Sequence, residues 1–417
     1  GLAQRVEKLF QRKTLLKPIL QALDRNRPAE VLAACAELCK KDPRLAPLCL
    51  RYRADALRNL NRFEELEKFL KAILASRPQP WVYAALGALM HKRGQNAQAQ
   101  GVYEQALKAF PIMPGLYDGM AEVLVAQGDT RRAQNLLEEA VRLSPLSVRR
   151  QSTLGKLALE NEDFESASKA FRHAVNQGQS SRYKDAENNL GLVQALMSKN
   201  AGFGLDARTR VEINTTLSEV AKENPEDQGL QVRARMMKAA SLQQAGDPET
   251  AGKLTEQAIQ RLDKMNQFFS VDAALTVAAQ LQAMGQEAAA LGVLKSCVES
   301  YGDDPKVMEK VGKLTDDPSV LNAITEAVTL NRQGVRSYQG GQLGEALQMF
   351  RKALGMQPKN ISIALNTAQA LLRIGGENPQ PAIMQECQDA LTSVAGIPAS
   401  DNRYDRYRKL HIRVFGA

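Results

Sequence analysis

Residues 83–111 read YAALGALMHKRGQNAQAQGVYEQALKAFP, and residues 117–145, thirty-four positions further on, read YDGMAEVLVAQGDTRRAQNLLEEAVRLSP. The match lies in residue type. Ala72, Ala106, Ala140 and Ala174 return at intervals of 34, and three places before each stands a bulky apolar residue: Phe69, Tyr103, Leu137, Phe171. Ala99, Ala133 and Ala167 precede the last three alanines by seven positions, and Pro43, Pro111 and Pro145 keep the same grid. Upstream in each block come Leu86-Gly87, Met120-Ala121 and Leu154-Gly155, then Gly94 and Gly128 where the chain turns. Two antiparallel helices need one small residue each where their backbones approach, and the bulky residue fills the space beside that contact. Proline ends the second helix, since it has no N–H and disfavours a helical predecessor. A single hairpin leaves one face apolar, so it is stable only when stacked on a neighbour.

Outward from this stretch the grid runs back to a degenerate unit at 12–45, with Val31, Cys35, Leu38 and Pro43 in register. Residues 12–181 are therefore expected to hold five regular units, preceded by a linker helix at 1–11. Degenerate units follow over 182–304, carrying Gly246, Ala251, Ala258, Ala278, Gly285 and Ala290, with an inserted loop near 198–205. Asp-Pro breaks bound an irregular hinge over 305–326. Units resume over 327–397 with Gly334, Ala346, Phe350 and Ala353, and a basic tail occupies 398–417. The expected fold is all-α, a superhelical solenoid of about ten antiparallel helix hairpins with no strand.

Composition narrows the function. Of 417 residues, 44% are apolar and 24% charged, which describes a folded chain rather than a disordered one. Mean hydropathy is −0.34, and no apolar run is long enough to span a bilayer. The start at Gly1 reads as a cut fragment or a tagged product. Five cysteines (Cys35, Cys39, Cys49, Cys297, Cys387) give no disulfide framework and suit reduced thiols in a cytosol. Three histidines leave little for general-base or metal chemistry, so enzymatic function and cofactors are not expected. No phosphate-binding GxxxxGK[ST] occurs, and Gly202-Phe203-Gly204 lacks the third glycine and preceding strand of a dinucleotide site. Cys35 and Cys39 share a helical face but read as packing residues in the absence of zinc-ligand spacing. The net charge of +9, from 55 basic and 46 acidic residues, is read as spread along the chain apart from the tail. Aromatic content of 5% argues against stacking platforms for single-stranded nucleic acid.

Between about 46 and 181 the alanine, glycine and proline grid resembles the tetratricopeptide repeat family. That resemblance implies a concave groove lined by the first helix of each hairpin, where a protein or peptide partner binds. The groove-side positions would be Arg51, Arg58, Trp81, His91, Asp118, Glu122, Arg149, Ser152, Lys156, Asn188, Asn331 and Arg332. The Lys/Asn/Arg clamp that part of the family uses for a terminal carboxylate is not reproduced, because Ala84, Ala88, Asp118 and Glu122 occupy the matching positions. Trp81, read beside His91, either anchors a partner or seals the junction with the preceding unit. Arg403, Arg406, Arg408, Lys409 and Arg413, interleaved with Tyr404 and Tyr407, either contact phosphates or form a capping helix. Residues 2–13 resemble the last helix of a response-regulator receiver running into its linker. The stretches 117–134 and 140–155 are similar to bacterial receiver–tetratricopeptide fusions. The resemblance implies a non-enzymatic adaptor or signalling effector in a bacterial cytoplasm, the output half of a two-component regulator. The alternatives are a nucleic-acid-associated regulator using the tail, or a peptide-sensing regulator.

Overall fold

Helix follows helix wherever apolar residues recur at helical spacing and a turn residue interrupts them. The computed structural model describes residues 14–179, 181, 183–262, 269–321, 325–376, 379–399 and 401–416. The receiver-like segment 1–13 lies outside them. All regular structure among the described residues is helical, and contacts part the chain into two units, Gly1–Lys184 and Asp185–Ala417.

The first unit stacks five hairpins. They pair α1 (14–24) with α2 (Pro28–Lys41), α3 (Ala46–Asn59) with α4 (Phe63–Ser76), and α5 (Pro80–Lys92) with α6 (Asn96–Ala109). Then come α7 (Pro114–Ala126) with α8 (Thr130–Leu143), and α9 (Val148–Glu160) with α10 (Phe164–Gly178). The first helices start at 46, 80, 114 and 148, and proline opens α5 and α7, where its fixed φ suits the first turn. Between paired helices the chain takes a left-handed residue, Gly94 at φ 75° and Gly128 at φ 84°. Asn61 and Glu162 hold the same conformation without glycine's freedom.

The small-residue columns do what the spacing requires. Ala99, Ala106, Ala133, Ala140, Ala167 and Ala174 are wholly buried. A Cβ on Gly87 would lie 2.5 Å from the Tyr103 ring, and one on Gly155 would lie 2.9 Å from Phe171. Helix and ring interlock sixteen residues apart. One column member was misplaced. Ala72 is exposed, and Leu66, Leu70 and Ile73 are the buried residues of α4. The turn at Asn61 delays that helix by one residue, so its core positions precede those of α6 by 33 rather than 34.

The second unit pairs α11 (Ala186–Lys199) with α12 (Ala207–Glu223), α13 (Gln228–Gln244) with α14 (Pro248–Leu262), and α15 (Val271–Ala283) with α16 (Glu287–Tyr301). Short helices α17 (Pro305–Gly312) and α18 (Pro318–Leu321) follow, packed through buried Val307, Val311 and Val320. Then come α19 (Thr325–Gln339) with α20 (Leu343–Met356), α21 (Ile361–Gly375) with α22 (Pro381–Thr392), and a single closing helix, α23 (Tyr404–Phe415). The Gly–ring interlock recurs, with a Cβ on Gly334 placed 2.6 Å from Phe350. Between α11 and α12 the chain runs through Gly202 and Gly204, both at positive φ, and leaves Phe203 94% exposed.

No helix among the described residues is long and apolar enough to cross a membrane. Cys35, Cys49, Cys297 and Cys387 are buried. Cys35, Cys39 and Cys49 share one packed cluster, yet no group of three ligating side chains among the described residues is arranged to hold a metal.

Candidate functional site

On α3, Arg51, Ala54, Asp55 and Arg58 fall at i, i+3, i+4 and i+7, one face of a helix. On α5, Trp81, Ala84, Ala85, Ala88 and Lys92 do the same. These two faces meet across a cavity of about 360 Å3 whose floor is Leu66, Leu89 and Phe63. The hollow exists because α5 turns three alanines outward where a longer side chain would fill the space. Since α5 also touches α7 directly, while α6 and α8 make no comparable contact, this is the inner side of the stack at that point.

The rim is cationic. The Arg51 guanidinium stands 6.0 Å from the Trp81 ring centre, and the Lys92 ammonium lies 4.9 Å from that of Phe63. Arg58 pairs with Asp55 at 2.8 Å, a neighbour on its own helix. Trp81 Nε1 donates to Gln79 Oε1 at 2.7 Å, which fixes the indole at the cavity mouth.

Three expected residues, Arg51, Arg58 and Trp81, are thus brought together. His91 is not among them. It sits ten residues along α5, about 15 Å from Trp81 at helical rise, and faces Asn96 at the start of α6 at 2.8 Å. Asp118 is engaged by Arg150, whose Nε lies 2.8 Å from Oδ1, and neighbouring Arg149 stays exposed. Glu122 and Lys156 are exposed and Ser152 half-buried. Asn188 and Asn331, expected to face a groove, are buried. Both lie on the packed side of their helices, and Asn331 Oδ1 accepts from Asn366 Nδ2 at 2.9 Å. Arg332 beside it is exposed. The residues missed are Ala54, Ala84, Ala85, Ala88 and Lys92. Ala84 and Ala88 carry a sequence signal, as alanines at the clamp positions, whereas nothing in the sequence marks Ala54, Ala85 or Lys92.

The tail divides. Arg406 donates to Asn366 Oδ1 at 2.8 Å and to Gln369 Oε1 at 2.6 Å. Arg403 bonds Asp401 and the Ser362 hydroxyl and stands 4.9 Å from the centre of the Tyr301 ring. These two arginines, expected on an exposed basic face, are structural. Burial pulls the Arg406 pKa below its usual value, whereas Asp401 and Asp303 outweigh burial at Arg403 and raise it. Arg408 pairs with Asp405 at 3.7 Å, and Arg413 donates to the Gly376 carbonyl at 3.4 Å. Lys409 is exposed. A larger hollow of about 700 Å3 in the second unit lies among the first turns of α11, α13 and α15 and residues 395–399. Several of its polar groups are engaged within the unit, although Arg233 Nε is buried without a hydrogen-bond partner among the described residues. Asp185, Asp227 and Ser270 cap their own helices, and Arg233 pairs with Glu187 at 2.5 Å.

The basic excess is not spread evenly, contrary to the expectation from the sequence. Gly1–Lys184 holds 30 basic and 19 acidic residues, a net +11, and Asp185–Ala417 holds 25 and 27, a net −2.

Residues 90–141 and 124–190 match the tetratricopeptide repeat family model, so this part of the chain is built of tetratricopeptide repeats. No curated protein matches the chain. Among solved structures it is similar to a tetratricopeptide repeat protein from Parabacteroides merdae, at 15% identity over 73% of this chain and 98% of that one, with a TM-score of 0.41. It is also similar to the C-terminal part of a repeat protein from Cytophaga hutchinsonii, at 14% identity over 59% and 99%, TM-score 0.46. A third is MamA from Desulfovibrio magneticus, at 21% identity over 41% and 96%, TM-score 0.35.

Proposed function

We propose that the chain is a non-enzymatic interaction module that holds a protein partner on the first-helix face of its N-terminal unit. The observation that carries this reading is the cavity between α3 and α5, apolar at its floor and cationic at its rim. An aromatic anchor beside a desolvated pocket is the usual core of an interface. The second unit is less suited, because its first helices spend polar groups internally: Asn366 of α21 donates to Asn331 and accepts from Arg406. The nucleic-acid alternative loses Arg403 and Arg406 to that unit's own packing and keeps Arg408, Lys409 and Arg413. A signalling role, as the output half of a two-component regulator in a bacterial cytoplasm, rests on the resemblance of residues 2–13 and is tested by whether a receiver domain is encoded upstream.

The test uses Ala88, which is exposed, so that Ala88→Arg fills the hollow without touching the core. Partners recovered by affinity purification with the unaltered chain should be lost with Ala88→Arg, at an unchanged melting midpoint. The double reversal Arg51→Glu with Arg149→Glu should weaken the same partners. Retention of every partner by Ala88→Arg places the interface elsewhere.

A further inference from the structure

We infer that the occupant of the α3–α5 cavity is an acidic segment of a partner protein. One large apolar side chain of that segment sits on the Leu66–Leu89 floor, and carboxylates before and after it are held by Arg51, Arg58 and Lys92. This rests on the reading of the face given above and adds the chemistry of the partner.

Three observations carry it. First, among the described residues the cations at the rim have no acidic partner from another helix. Arg51 and Lys92 face aromatic rings, and Arg58 meets only Asp55 on its own helix, in an exposed pair worth little to the fold. Second, the positive field is local. Residues 14–100 contain 15 basic and 8 acidic residues, a net +7 of the whole chain's +9, and such a field draws in and orients an opposite charge. Third, the floor is apolar and walled by Ala54, Ala84, Ala85 and Ala88, which suits an aliphatic or aromatic side chain and gives a phosphate nothing to bind. Nucleic acid fits less well, because base stacking needs successive aromatic platforms, whereas Lys92 stands over the Phe63 ring and leaves Trp81 as the one other aromatic of this lining. A planar guanidinium suits a carboxylate bidentately, and a rim of two arginines and a lysine around an apolar floor selects charge and shape together.

Trp81 is the single tryptophan of the chain, so its emission reports on this cavity alone. The probes are short synthetic peptides of equal length: one with a phenylalanine flanked by Asp and Glu, its Asn/Gln counterpart, and its Phe-to-Gly counterpart. An oligothymidylate of matched charge completes the set. Each is titrated against the full chain, against Ala88→Arg and against Arg51→Glu with Lys92→Glu. The acidic phenylalanine peptide is expected to bind at least about tenfold more tightly than either counterpart. It should shift Trp81 emission, weaken as salt rises, and lose about tenfold or more in the double reversal. Equal binding of the Asn/Gln peptide, still sensitive to Ala88→Arg, sinks the acidic partner and leaves the face intact. Oligothymidylate that competes as well as the peptide overturns the proposal in favour of a phosphate site. Peptide binding that ignores Ala88→Arg and leaves Trp81 unmoved removes both the proposal and the face. No binding of any peptide at millimolar concentration refutes the proposal.

Discussion

Tyr103 occupies a slot made by two glycines on two hairpins. A Cβ on Gly87 would meet its ring at 2.5 Å and one on Gly119 would meet its hydroxyl at 2.3 Å, while the hydroxyl donates to the Ala84 carbonyl at 3.2 Å. The ring has nowhere to retreat, so Gly87→Ala should overpack the junction. The cost is about 1–3 kcal/mol, against a helix-propensity gain of about 1 kcal/mol. Gly101, within α6, has open space where its Cβ would go. Gly101→Ala should therefore raise stability by about 0.5–1 kcal/mol. Thermal melts of the two variants should move in opposite directions; a shared direction would mean that the Tyr103 slot is not rigid. Residue identity revealed the Gly–ring pairing through its spacing. It did not reveal the slip at Ala72, because Asn61 takes the left-handed turn that glycine takes elsewhere, and nothing in the local sequence announces the missing residue of register.

At the scale of the element, α23 shows what a linear pattern leaves open. Its basic residues lie on more than one side of the helix, and amphipathicity alone does not say which side meets α21. The structure turns Arg406 inward, where Asn366 and Gln369 depend on it as a donor. Arg408 stays on the surface with Asp405. Arg406→Ala should cost about 1–3 kcal/mol by taking a charged donor from two half-buried acceptors, whereas Arg408→Ala should stay within about 0.5 kcal/mol of the parent. Denaturant midpoints measure both, and equal values would return α23 to the status of a loosely attached tail. Helix α5 carries the converse lesson. Its outward alanines were legible as residues, but a hollow exists only when a second helix stands opposite, and α3 supplies that wall.

For the whole molecule, the buried acids set the response to pH. Burial pushes Tyr103 up to about 12 from its usual 10.0. It likewise raises Cys35 and Cys297 to about 12 and Cys387 to about 11, each from 9.0. All four are neutral in the folded state and lose their protons earlier when unfolded. Their contribution is complete below about pH 9 and is lost as pH climbs toward 12, since over that range the unfolded chain binds fewer protons. The melting midpoint should hold steady through neutrality and fall above pH 9. Tyr103→Phe should soften the fall between about pH 10 and 12. An unaltered alkaline limb in that variant would show that this phenol is already ionised or solvated in the fold. The net +11 of the first 184 residues is present in the sequence, but only the contacts that set the boundary at Lys184 assign it to one unit.

Order along the chain determined the class of fold. Close helix approach demands small side chains at fixed intervals, and that demand is met locally, within each hairpin, where spacing in sequence and spacing in space coincide. Tertiary structure alone decided which polar groups face outward. A cationic rim over an apolar floor, or an arginine locked against two amides, arises between helices tens of residues apart, and burial at such a place depends on packing geometry that no periodicity encodes.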